Sequence, residues 1–203
     1  MRLPAFIVPA LAAALVAAVA AHPAAALTKP AFDIAIGKSF AIDGVPNTGG
    51  MSVAFSPLWS IGDRSRFGVT GFADDIGTTQ MLLVDRTSAL DLGTVAQRHR
   101  MTYGLAWRAD RDVIRRKRWV AGLTALAGWW RVTDDIRGDF ADAASAVGLG
   151  LGFEARRAMT SRHEFGLAAR YQELTSDRHA GFRRVDHYAT AALEWRWTVD
   201  ARH

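Results

Sequence analysis

The stretch HYATAALEWRWTV, residues 187–199, alternates with a period of two. Leu193, Trp195, Trp197 and Val199 fall on one parity, and Thr190, Ala192, Glu194, Arg196 and Thr198 on the other. Successive side chains of a strand point to opposite faces, so this segment is expected to present Trp and Leu on one side and a Glu–Arg pair on the other. A soluble sheet would turn the charged face to water. A membrane barrel would turn it inward and give the tryptophans to lipid. The rest of the chain has to choose between them.

Seven further segments share the pattern: FDIAIGKSFAI (32–42), MSVAFSPLWSI (51–61), RFGVTGFA (66–73), RMTYGLAWR (100–108), WVAGLTALAGWWRV (119–132), AVGLGLGFEAR (146–156) and HEFGLAARYQ (163–172). Most have the length of a tilted strand that crosses a bilayer. Glycines at 122, 128, 148, 150 and 152 make a helix costly in the two Ala-rich segments, and no 3.6-residue period appears there. The fold class expected is all-β, an eight-stranded antiparallel up-and-down barrel. Compact linkers (GDRS, ADRDVIRRKR, RAMTSR) alternate with longer ones (DGVPNTGG, the stretch 74–99, TDDIRGDFADAAS, ELTSDRHAGFRRVD), as short turns and long surface loops do in outer-membrane barrels.

The bulk of the chain is compatible with this. Its 203 residues suggest one domain. Residues 1–26 read as an export signal: Arg2, the apolar run FIVPALAAALVAAVAA, and Ala24, Ala25 and Ala26 before Leu27. The barrel domain is then expected over 27–203. There is no cysteine, so neither a disulfide framework nor a Cys-linked lipid anchor is expected. The net charge of +5 would become +4 without Arg2. Such a balance can signal nucleic acid, but an exported chain rarely meets it, so no nucleic-acid partner is expected.

Taking alternating strand directions from a periplasmic start, one end of the apolar parity carries Phe32, Trp59, Phe67, Trp107, Trp119, Phe153, Phe165 and Trp197. One aromatic per strand at one level is the girdle a membrane interface favours. Phe40, Met51, Trp129 and Tyr171 form a thinner set at the other end. The opposite parity places Arg66, Arg108, Glu154, Arg156, Glu164, Glu194 and Arg196 inside as a charge network, with a middle layer of small residues such as Ala35, Gly104, Gly150 and Thr190. An eight-stranded barrel is narrow enough for side chains to fill, so a plugged lumen is expected over a water-filled one. Two residues sit awkwardly. Lys38 falls on the lipid parity, where it would snorkel or mark a bulge, and Pro57 suggests a bulge in its strand. The facing of 119–132 and the state of 74–99, hairpin or short helix, stay open.

In signal, strand number, girdle and inner charges, the chain resembles the small eight-stranded outer-membrane barrels of the OmpA/OmpX type from about residue 32 to 199. The resemblance implies a monomer in the outer membrane of a Gram-negative cell envelope. Its partners would be outer-membrane lipids, including lipopolysaccharide, and the barrel-assembly machinery. Members often end on an aromatic residue, whereas this chain continues through DARH to His203. No cofactor or metal is expected. The function expected is non-enzymatic: a filled barrel displaying surface loops for envelope integrity or surface interaction. One alternative is a membrane-embedded lipid A or phospholipid acyl hydrolase, and another is a small-solute pore. Lipid A deacylases, which this chain resembles in size, carry a His and a Ser two residues apart on one strand. Here His99, His163, His179 and His187 are followed two residues on by Met101, Phe165, Gly181 and Ala189.

Other features are weaker. Asp134, Asp135, Asp139 and Asp142 lack the spacing of a calcium loop and read as solvated surface. GLGLG at 148–152 lies in a strand, not before a helix, so it is no nucleotide loop. His99 and His187 read as rim histidines. Arg64, Arg111, Arg115, Arg116, Lys117, Arg157 and Arg162 gather in the short turns, where they could touch anionic headgroups.

Overall fold

The computed structural model describes residues 27–42, 49–83, 94–136, 140–176 and 187–199; the expected export signal lies outside them. They form eight strands: β1 (Leu27–Ala41), β2 (Gly50–Ile61), β3 (Ser65–Leu83), β4 (Thr94–Arg116), β5 (Trp119–Ile136), β6 (Phe140–Ala158), β7 (His163–Ser176) and β8 (His187–Thr198). Each pairs antiparallel with its neighbours in sequence, and β1 pairs with β8 to close the barrel. The described residues contain no helix. Closure leaves no edge strand, which is the condition for strands to sit in hydrocarbon.

The register fixes the tilt. A path perpendicular to the strands leaves β1 at Pro30 and passes through Trp59, Phe67, Ala109, Ala125, Leu151, Tyr171 and Ala189. It returns to β1 at Phe40, ten residues further on. A shear of ten over eight strands corresponds to a tilt of about 40° and a lumen that side chains can fill.

Six strands, β1 and β3 to β7, are longer than the sequence pattern suggests by four residues or more. The segment ADRDVIRRKR is mostly the end of β4, leaving only Lys117 and Arg118 as a turn between Arg116 and Trp119. Of TDDIRGDFADAAS, residues 133–136 belong to β5 and 140–145 to β6, with Asp134 opposite Asp142 in the ladder. The open question at 74–99 resolves as a hairpin extension, since Leu83 pairs with Thr94. Charged residues hid these extensions because an inward or rim position in a barrel tolerates them. The bulge expected near Pro57 does not occur: Phe55 faces Gly71 and Leu58 faces Gly68 in one unbroken register. Lys38 keeps the lipid parity with no bulge, between Met51 and Ala191. The register shifts instead at Leu27/Pro30, Asp75/Gly77 and Asp112/Ile114.

Burial follows the alternation along most of the barrel and departs from it near the bulges and at the small outward residues Ala109 and Ala125. In β8, Tyr188, Thr190, Ala192, Glu194 and Arg196 are buried and Leu193, Trp195 and Trp197 are exposed. The facing of β5 is settled too: Gly122, Thr124, Leu126 and Trp130 point inward, while Trp119, Leu123 and Trp129 point outward. The apolar core inside the barrel is small and lies towards the loop end, around Trp130, Ile76, Leu126, Leu174 and Tyr188. Gly148 makes room for it, because a Cβ there would stand 2.7 Å from Leu174 Cδ2 and 2.9 Å from the Trp130 ring. Gly148→Val is expected to destabilise the barrel by roughly 1–3 kcal/mol through overpacking, measured by urea unfolding.

Candidate functional site

The lumen is filled in layers. At the end with the short turns, Arg66 donates to Asp112 at 3.2 Å, and Arg156 reaches Asp112 at 2.8 Å, Glu154 at 2.8 Å, and Glu164. Arg115 closes this layer with a 2.6 Å contact to Asp112. One layer in, Arg108 meets Asp33 (3.0 Å), Asp110 (2.8 Å), Glu154 (3.1 Å) and Glu194 (3.0 Å). Arg196 meets Asp33 (2.6 Å), Asp110 (2.8 Å) and Glu154 (3.4 Å), while Arg170 holds Glu194 at 2.7 Å. Arg66, Arg108, Arg115, Arg156, Arg170 and Arg196 thus oppose Asp33, Asp110, Asp112, Glu154, Glu164 and Glu194. The balance of six against six is what allows buried charges to persist.

All seven inner residues expected from sequence fall in this one network. The network also takes in Asp33, Asp110, Asp112 and Arg170, and Arg115, which the sequence places among the turn cations. Asp33 shares the parity of Ala35, and Arg170 that of Ala168, so parity alone could have found them. Asp110 and Asp112 share the parity of Arg108 but stood in a segment read as a linker.

Above the ions the filling changes character. Trp130 Nε1 lies 3.0 Å from the Tyr188 hydroxyl and 3.2 Å from Gln172 Oε1. Asp74 accepts from Tyr188 at 2.8 Å and from Ser52 at 2.5 Å. Nearer the loops, Arg100 grips Asp134 through Nε and Nη2. Asp134 is therefore buried and ion-paired, not part of a solvated loop, while Asp135 is exposed. The middle layer is small at Ala35, Thr70, Thr124 and Thr190, but Leu126 and Arg170 fill what those residues leave.

Asp33, Asp110 and Glu154 bring carboxylate oxygens within 4.8 Å of one another, as a metal would require. The guanidinium groups of Arg108 and Arg196 already contact all three. The donor set is that of an ion-pair cluster, and it does not fit a cation site.

The outer surface is apolar. Leu193 is 70% exposed, Leu167 63% and Leu105 61%. The eight aromatics named from sequence all project outward. Phe32 contacts Trp197 at 5.9 Å between ring centroids, and Trp59 stands opposite Phe67. They do not share one height. Trp119 pairs with Arg116, nine residues along β4 from Trp107, so the ring is a band rather than a line. Phe165 stacks on Trp195, not Trp197, at 6.0 Å. Towards the loop end, His99 Nε2 lies 2.9 Å from Asp75 Oδ1, and His187 Nδ1 lies 2.6 Å from the Tyr171 hydroxyl. The hydroxyl that meets a histidine is thus a phenol, with Glu173 across the ladder from His187.

No family model matches the chain, and no curated protein matches it. Solved structures do. The chain is similar to Neisserial surface protein A, at 16% identity over 83% of this chain and 95% of that one, with a TM-score of 0.56. It also matches Ail, the attachment invasion locus protein of Yersinia pestis (8% identity, 84% and 98% coverage, TM-score 0.49). A third match is the N-terminal β-barrel domain of Pseudomonas aeruginosa OprF (11% identity, 85% and 98% coverage, TM-score 0.49). The likeness to the Neisserial protein shows a shared fold, an eight-stranded antiparallel closed barrel.

Proposed function

We propose that this chain is an integral outer-membrane β-barrel with a filled lumen, acting without catalysis as a scaffold that presents its loops at the cell surface. The observation that carries the reading is the inverted distribution of side chains. Charged residues are buried and paired within the barrel, and large apolar residues are exposed around it. A soluble barrel exposing so much contiguous apolar surface would aggregate, whereas a bilayer would cover it. Lipid, including lipopolysaccharide on the loop side, is the partner such a surface fits. The sequence has no His-x-Ser pair, which argues against the lipid A deacylase activity.

The ion-pair layer also bears on transport. Side chains of Arg108, Arg196 and their four carboxylate partners occupy the lumen between β1, β4, β6 and β8. The purified protein in planar bilayers is therefore expected to give no discrete open-channel steps. A steady unitary conductance would instead favour the small-solute pore. Release of acyl chains from lipid A or phospholipid by the pure protein would favour the acyl hydrolase.

A further inference from the structure

We propose that the β4–β5 hairpin, residues 110–122, is a surface anchor that docks on anionic phospholipid headgroups of the leaflet at the short-turn end. The proposal rests on the transmembrane reading and adds a lipid preference to one side of it. The hairpin is built unlike the neighbouring turns. Past Arg111, which faces Ser65 at the start of β3, β4 runs on to Arg116 with β5 as its ladder partner.

The bulge at Asp112/Ile114 breaks the alternation there, so Val113 (55% exposed) and Ile114 (54% exposed) both reach the outside. Trp119 adds a third exposed apolar group, with the Arg157 guanidinium 5.8 Å above its ring. Around these stand the exposed cations Arg111, Arg116, Lys117 and Arg118, while Arg115, also exposed, is already committed to Asp112 at 2.6 Å. The acids of the same hairpin, Asp110 and Asp112, are turned inward and held by the lumen arginines. Neighbouring turns add Arg64 and Arg162 against one exposed acid, Asp63.

The turn itself points the same way. A two-residue hairpin turn with positive φ favours Asn-Gly or Gly-rich pairs. Here Lys117 takes φ 50°, the one non-glycine residue at positive φ among those described. A cation therefore stands at the tip in a conformation that glycine would adopt more easily, and strain of this kind is a pointer to a task. Apolar side chains flanked by Arg and Lys suit the boundary between acyl chains and acidic headgroups. The occupant is the membrane surface because the patch continues the outward apolar face of β4 and β5.

The chain has no cysteine, so Val113→Cys with an environment-sensitive thiol label reports the hairpin alone. The full barrel is folded into vesicles of phosphatidylcholine, with or without phosphatidylglycerol, and acrylamide quenching of the label is compared. Each basic residue near an anionic surface is worth about fivefold in partitioning. Quenching should drop on the order of fivefold in the anionic vesicles. The gain should vanish in high salt and in Arg116→Gln/Lys117→Gln/Arg118→Gln. Equal quenching in the two lipids, or a difference that survives the triple substitution, overturns the proposal. Unboiled gel mobility monitors insertion separately. Failure to insert in either lipid refutes the transmembrane reading, and the anchor with it; insertion without lipid-dependent quenching refutes the anchor alone.

Discussion

Arg108→Ala is expected to lower the stability of the barrel by about 3–5 kcal/mol, the scale on which losing one partner of a buried ion pair is felt. Arg108 is the hub that touches Asp33, Asp110, Glu154 and Glu194, and its side chain is 1% exposed. Removing it leaves four carboxylates to Arg196, Arg156 and Arg170, in a lumen where the lost charge has no replacement. Urea unfolding in detergent micelles or vesicles measures the loss. The double variant Arg108→Met/Asp110→Asn should recover part of it, since an acid and a base then leave together. A loss below about 1 kcal/mol would place these groups in water, and the lumen would be a hydrated channel.

Leu193→Arg should cost about 2–4 kcal/mol if the residue lies near the midplane of a bilayer. Leu193 projects from β8, 70% exposed, between the aromatic band and the Tyr171–His187 rim. Had the barrel been soluble, an arginine at so open a site would be neutral within about half a kcal/mol. The substitution therefore separates lipid from water more sharply than any inner mutation. It is measured by folding equilibria into phosphatidylcholine vesicles, with Leu193→Ala as the reference.

The alternation in HYATAALEWRWTV carried most of the fold. A period of two repeated eight times specifies facing strongly, because a slip of one residue would exchange every lipid-facing and lumen-facing side chain. That is why Glu194, Arg196, Arg108 and Arg156 could be placed inside without a structure. The limits of the strands were less legible. β4 passes through Asp110, Arg111 and Asp112, residues that read as a polar linker because their charges are individually unremarkable. Only the register shows that Asp110 and Asp112 meet arginines from other strands. Trp129 and Trp130 make the same point. Adjacent identical residues leave parity ambiguous, and the inward role of Trp130 depends on Tyr188, Gln172 and the space above Gly148, all distant in sequence. Pro57 misled for a local reason: proline usually disrupts a ladder, yet this one is accommodated without a shift of register.

The central claim is that the apolar outer face meets lipid while the charges stay inside. The most direct test is to fractionate cells expressing the protein and run the outer-membrane extract, boiled and unboiled, on a denaturing gel. The protein should appear in that fraction and change mobility on boiling, as a detergent-resistant closed barrel does. Recovery in the soluble periplasm with no mobility shift would contradict the account and put the exposed face of Leu105, Leu167 and Leu193 in water.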